Sequence, residues 1–289
     1  MIGKTRQRPA VNSQNAKVEE IYDPEVGQAR GMLRRPMPAG KVRHVRRRPA
    51  FDLTPWIAHY WMIRWDLRGC DQQLAESIPH PNVHVIFEPH ASVVCGVQTR
   101  KFARVLEGQS QVFGIKFKPG GFRPFVKSPV SALADRMVPV YRILGKGANV
   151  LRDTVLSSKS ENEKVEAANA FFRGRLPQPD ETIALVGQLM ERILQEHEIK
   201  TVDDLVERSG IGKRSLQRIF NEYVGVSPKW VIRRYRLHEL IERAHSGTEP
   251  DWPQLALELG YFDQAHLIND FRSITGYSPT EYHKLVSEN

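Results

Sequence analysis

Two clusters in the C-terminal third carry side chains suited to reading base edges. Lys213, Arg214, Gln217 and Arg218 make the first, and Gln264, Ala265, His266 and Asn269 the second. Arginine can donate two hydrogen bonds to a guanine edge in the major groove, and glutamine pairs with adenine. On a helix, Arg214, Gln217 and Arg218 share a face at i, i+3 and i+4, while Leu216, Ile219 and Phe220 take the opposite face. In the second cluster Leu267, Phe271 and Ile268 point inward and leave the other four for the groove. The plain alternative is a solvated charged face.

Other residue types could do different chemistry. His80, His84 and His90 lie close together in a β-patterned stretch, where neighbouring histidines can hold a metal. No third ligand stands at a convincing spacing, so hydrogen-bonding histidines are favoured and no metal is expected. Tyr60, Trp61 and Trp65, with His80 and His84, are candidates to line an apolar effector pocket. Core packing is the competing role for each aromatic. No catalytic residues and no cofactor are expected. Cys70 and Cys95 form neither a CxxC nor a zinc spacing and are expected as free thiols.

The elements that must position the base-reading clusters are written twice. RIFNEYVGVSP is followed by NDFRSITGYSP, and Phe220, Gly225, Ser227 and Pro228 match Phe271, Gly276, Ser278 and Pro279 at a constant offset of 51. Each copy reads as two short helices around a glycine-containing turn, which is the helix-turn-helix signature. Thr201 caps the first helix of the first copy, and its apolar stripe ends near Ser209-Gly210. Asp251 and Asp263 cap the two helices of the second copy, with Gly260 breaking the chain between them. Ser227-Pro228 starts a connecting helix reaching about His245, followed by a loop from Gly247 to Pro250. It would hold the two units about one helical turn of DNA apart, roughly 34 Å.

At these residues the chain resembles the DNA-binding domain of AraC/XylS-type bacterial transcription regulators. LVERSGIGKRSLQRIFNEYVGVSP and LALELGYFDQAHLINDFRSITGYSPTEY carry the resemblance, over about 85 residues. One departure stands out. The family has an aromatic residue three positions after each proline, which Tyr282 obeys, whereas Val231 takes that place in the first copy and Trp230 precedes it. The resemblance implies two recognition helices in consecutive major grooves on one face of the duplex. It places base contacts on Arg214, Gln217 and Arg218, and on Gln264, Ala265, His266 and Asn269.

The chain of 289 residues suggests an α+β multidomain protein: a β-rich small barrel or sandwich, then an all-α domain with two helix-turn-helix motifs. Residues 1–48 read as a basic, disordered tail, apart from a short piece at Val18–Tyr22; Lys41–Arg48 is a basic arm within it. Residues 49–147 hold strand candidates around His59–Trp65, Val83–Phe87, Ser92–Cys95, Arg104–Leu106 and Val112–Phe117. Residues 148–182 read as a helical linker, and 183–289 as the DNA-binding domain, with motif one at about 201–224 and motif two at about 252–275. WxxRWDL, PHPNVHVIFEP and FGIKFKPGGFRPF resemble a poorly characterised sensor-like domain found ahead of AraC-type units, which implies a regulatory role and no known ligand.

Charge is unevenly placed. Residues 1–48 carry 12 Lys and Arg against 4 Asp and Glu, and residues 183–289 carry 13 against 16. The global excess of +9 is therefore no proof of DNA binding. Lys213, Arg214, Arg218, Lys229, Arg233, Arg234 and Arg236 form a local basic cluster, so the first copy is expected to supply most of the affinity. No run of 18 apolar residues exists, so no membrane span is expected, and the missing signal-peptide core suggests a cytoplasmic protein. The favoured reading is a transcription regulator whose partners are double-stranded DNA and a small-molecule effector, with RNA polymerase as a further candidate and the monomer or homodimer left open. The alternatives are a metal-binding β-barrel enzyme fused to a DNA-binding module, and an architectural DNA-binding protein of low specificity.

Overall fold

A computed structural model of the chain describes residues 18–27, 29, 31–33, 38, 40–244 and 250–287. Its strands are β1 (Val18–Tyr22), β2 (Met32–Leu33), β3 (Val42–Arg47), β4 (Ile57–Asp66), β5 (Gln73–Ser77), β6 (His84–Phe87), β7 (Ser92–Cys95), β8 (Phe102–Leu106), β9 (Gln109–Phe117) and β10 (Met137–Pro139). Seven of them make one sheet in the order β1-β3-β4-β9-β6-β7-β10, and β2-β5-β8 make a second. The large sheet ends in two separate edge strands, so the expected small barrel is not closed. Two layers cover it instead.

Alternation along the strands decides which layer each side chain meets. Tyr60, Val85, Phe87, Phe113, Ile115 and Phe117 face α1 (Val140–Leu144), α2 (Gly147–Ser157) and α3 (Glu161–Arg173) in the main core. Val42, Trp65 and Val112, on the other face, pack with Leu106 and Ala75 of the small sheet. The α2–α3 stretch read as linker is thus the layer closing the sheet: Ala148, Leu151, Val155, Ala168 and Phe172 are buried in its core.

The basic arm is also corrected. Residues 42–47 are a central strand, paired with β1 on one side and β4 on the other. Arg43 and Arg47, two of its alternate side chains, reach Glu161 of α3 at 2.9 and 2.6 Å. Arg48 pairs with Asp23 at 2.7 Å. The density of arginines hid a strand whose charges are answered across space. Residues 1–17 of the expected tail lie outside the described residues.

The C-terminal half is helical: α4 (Glu181–Gln195), α5 (Val202–Ser209), α6 (Lys213–Ile219), α7 (Pro228–Ala244), α8 (Trp252–Glu258), α9 (Gln264–Thr275) and α10 (Pro279–Ser287). A π-helical turn, Phe220–Val224, extends α6. Thr201 and Asp204 form a reciprocal capping box on α5. Asp251 and Asp263 cap α8 and α9 by accepting from backbone N–H groups. One core gathers Leu205, Leu216, Phe220, Val231 and Ile232 with α4; the other gathers Leu255, Leu267, Phe271 and Tyr282 with the end of α7. Val231 is fully buried, so a β-branched residue fills the place that Tyr282 fills in the second copy. Trp230 is instead displaced outward against the Arg234 guanidinium, 4.5 Å away. The loop expected after α7 falls on residues 247–249, outside the described residues, and on Pro250.

The N-terminal unit touches both helix-turn-helix copies near their equivalent glycines. Gly225 and Gly276 have φ of 95° and 88°, a region that favours glycine. A Cβ on Gly225 would lie 3.1 to 3.3 Å from Val130, including its backbone; on Gly276 it would meet only the Lys101 amine at 3.7 Å. Gly225→Ala is therefore expected to cost about 1–3 kcal/mol, and more than Gly276→Ala, in urea unfolding. Equal costs would show that backbone strain alone acts and that the Val130 contact yields. Lys101 also donates to the Thr275 carbonyl at 3.0 Å, and Arg123 pairs with Glu222 on the π turn at 2.5 Å.

Candidate nucleic-acid interface

The second helix of each copy presents the same kind of surface. On α6, Leu216 is fully buried and Ile219 half-buried, with the following Phe220 buried too, while Lys213, Arg214, Gln217 and Arg218 are exposed. On α9, Leu267 and Phe271 are fully buried and Gln264, Ala265, His266 and Asn269 are exposed. Each quartet therefore shares a solvent-facing helix surface, set by the inward pull of its apolar stripe. Lys213 is held by Asp203 at 2.8 Å, which turns its ammonium toward α5. His266 stands edge-on to Tyr261, with ring centroids 5.2 Å apart. Phe262, in the turn before α9, is 87% exposed. Sequence reasoning passed over it because a turn aromatic carries no periodic signal.

The wider basic cluster does not survive as a phosphate-facing surface. Arg233 donates to Asp270 of α9 in a bidentate pair, with Nε at 2.8 Å, and the Tyr261 hydroxyl donates to the same carboxylate at 3.0 Å. Arg234 is buried and donates to the Thr99 carbonyl at 2.7 Å, where burial pushes it down to about 10. Arg236 donates to the Lys200 carbonyl. These three arginines hold α7 to its neighbours. Asp270 is thus a buried anchor for the second copy. The expected dominance of the first copy consequently rests on Arg214, Arg218, Lys213 and Lys229 alone.

The five effector-pocket candidates are not brought together. Tyr60 sits on the helix-covered face and donates to Asn169 Oδ1 at 2.9 Å. Trp61 and Trp65 lie on the opposite face, where their indole N–H groups donate to His84 Nδ1 at 3.2 Å and to the Glu107 carbonyl at 3.0 Å. His80 stacks on His238 of α7, with ring centroids 3.8 Å apart. His90 is exposed beyond β6. Trp61 and His84 are in contact. Among the described residues, no group of three or more His, Cys, Asp or Glu is placed to hold a metal. Cys70 is exposed and Cys95 buried, and both are free.

Strand register reveals a row that sequence reading missed. His59 and His84 both stand directly opposite Lys116, on β4, β6 and β9. Arg46 of β3 reaches His59 Nε2 at 3.0 Å. Burial, then Lys116, pushes His84 down to about 3; burial, then Arg46, pushes His44 down to about 4 and Lys116 down to about 7. Burial first, then Lys116 and Arg46, also lowers His59. Below about pH 6.5 the unfolded chain takes protons that these folded histidines refuse, so stability falls as pH drops toward 4. Between about pH 7 and 10.5 the unfolded lysine holds its proton longer than Lys116 does, so that residue adds stability as pH rises. Melting temperature followed from pH 4 to 10 is expected to rise along both limbs from these groups; removing Lys116 should flatten the upper one.

Two helix-turn-helix units with exposed second helices define a duplicated DNA-binding domain. Residues 205–285 match the family described as Helix-turn-helix domain, and residues 45–139 match Domain of unknown function (DUF6597). The helix-turn-helix match covers both copies of the motif, from within α5 to within α10. An uncharacterized HTH-type transcriptional regulator of Haemophilus influenzae is 28% identical over 89 residues, 30% of this chain and 28% of its own length. Another, YbfI of Bacillus subtilis, is 26% identical over 100 residues, 35% of each chain. The matches thus span about a third of these relatives. ToxT of Vibrio cholerae, in a crystal structure, aligns over 74% of this chain and 98% of its own at 11% identity, with a TM-score of 0.38. No helix among the described residues is long and apolar enough to cross a membrane.

Proposed function

We propose that this chain is a sequence-specific transcription regulator that lays α6 and α9 in successive major grooves. The observation that carries the reading is the paired exposure of Arg214, Gln217 and Arg218 on one helix and Gln264, Ala265, His266 and Asn269 on the other. Both helices are anchored from behind by fully buried Leu and Phe side chains. A single chain holds both readers, so a monomer suffices for an asymmetric site; a homodimer would join two such sites. The N-terminal unit, packed against both copies, is the place from which a small effector would bias DNA-competent against incompetent arrangements. The working compartment is the cytoplasm, and RNA polymerase is the further protein partner where the bound site adjoins a promoter.

The two other readings lose their supporting observations. The metal-barrel enzyme needed a closed barrel and converging histidines, and the sheet is open while His80, His84 and His90 diverge. The architectural reading leaned on a basic arm, whose residues 42–47 are a sheet strand. Genomic fragments selected by the purified protein at fixed salt, then footprinted, test the proposal. An asymmetric protected site covering two adjacent major grooves is expected. Equal retention of random and selected DNA, by the full chain and by the C-terminal half alike, would overturn it.

A further inference from the structure

The row on the second face of the large sheet gathers basic groups around Lys116. It brings together Arg46, His59, Lys116 and His84 from four adjacent strands, β3, β4, β9 and β6. Directly opposed side chains in such a ladder stand about 4.5–5.5 Å apart at Cβ. An irregularity in β4 between Ile57 and His59 is what turns His59 onto this face, as a bulge re-aims a side chain. No carboxylate is among the charged groups acting on Lys116, His59 or His84: each of these is itself basic. Among the described residues nothing pairs with the Lys116 amine. A half-buried ammonium without an acid is costly, because the Lys116 charge loses water and gains no partner.

We propose that this row is an oxyanion-binding site, taking the carboxylate or phosphate group of a small effector. The proposal rests on the effector-responsive regulator reading and names the chemistry of its ligand. The row supplies the donors an oxyanion needs: an ammonium, a guanidinium already oriented by the Gly27 carbonyl at 2.7 Å, and neutral imidazoles. The His84 tautomer is set, since its Nδ1 accepts from Trp61 and its proton is left on Nε2. An apolar wall flanks the donors. Trp61 lies over Gly114, where a Cβ would come within 2.0–2.4 Å of the indole, and Ile63 and Ile86 are on the same face. A small acid with a short apolar body matches this combination.

The site is also wired to the DNA-binding half. His84 follows the segment 78–83, in which the Asn82 amide donates to the Phe117 carbonyl at 2.6 Å, next to Lys116. In the same segment His80 stacks on His238 of α7, the helix joining the two readers. An anion that draws His84 and Lys116 together acts on the C-terminal end of the short segment that carries His80.

Calorimetric titration of the full chain at constant ionic strength tests this with inorganic phosphate, succinate and the neutral isostere succinamide. One saturable site for phosphate or succinate, and none for succinamide, is expected; which oxyanion binds tells a phosphorylated from a carboxylic effector. Lys116→Met should weaken that binding by about tenfold or more, and Lys116→Arg should largely keep it. Lys116→Met should also raise the melting temperature of the ligand-free chain, because it removes an uncompensated ammonium. No saturable heat from either oxyanion, equal binding of succinamide, or unchanged binding by a folded Lys116→Met protein would each overturn the site. If Lys116→Met does not fold, the wild-type contrast between succinate and succinamide decides. Binding to the footprinted DNA is measured on the same samples. Retained specific DNA binding without anion binding would remove this site alone, whereas absent DNA specificity would remove the regulator reading.

Discussion

Replacing Arg233 with alanine should destabilise the protein by about 3 kcal/mol, the low end of the range for breaking a buried ion pair. Asp270 is 3% exposed, and its carboxylate accepts two hydrogen bonds from Arg233 and one from the Tyr261 hydroxyl. Without Arg233 a buried anion keeps a single neutral donor. The cost stays at the low end because the Arg233 side chain is itself half-exposed, so some water reaches the pair. Asp270→Asn should cost less, since it removes the charge that needs compensation and leaves Arg233 to be hydrated. Because the pair joins α7 to α9, Arg233→Ala should also weaken DNA binding although neither residue faces the groove. Urea unfolding gives the first quantity and a mobility-shift titration the second. A loss below about 0.5 kcal/mol, the level of an ordinary surface pair, would mean that the pair does not hold the second reader in place.

Arg214→Ala and Arg218→Ala should each cost about 1–3 kcal/mol on the specific site and relax base preference at one position apiece. Both side chains are exposed on α6, and neither is held by an ion pair within the described residues, unlike Lys213. Their removal should leave unfolding unchanged, which separates them from Arg233. Lys213→Ala should instead weaken specific and random DNA alike and lower the salt dependence, as loss of a phosphate contact does. Competition titrations at two salt concentrations, with the selected fragment and with scrambled DNA, distinguish these outcomes. Equal losses on both DNAs for Arg214→Ala and Arg218→Ala would assign them to the phosphates and leave the readout to Gln217 and the α9 quartet.

What the sequence determined by itself is local. The glycines, caps and apolar stripes of the duplicated motif lie within a few residues of what they control. Thr201, Asp251 and Asp263 cap where their spacing says, and Leu216, Phe220, Leu267 and Phe271 face inward at helical period. That much placed both clusters of base-reading candidates on exposed helix surfaces. Tertiary structure decided what depends on partners far along the chain. The arginines of residues 43–48 read as a solvated arm until Glu161 and Asp23 appear beside them. Arg233, Arg234 and Arg236 read as phosphate contacts until Asp270, Thr99 and Lys200 accept from them. The row of Arg46, His59, Lys116 and His84 draws on four segments and exists only through strand register, which a bulge at one residue resets. A charge states its sign in the sequence, but whether it meets water, an acid or another base is settled only when the strands and helices pack.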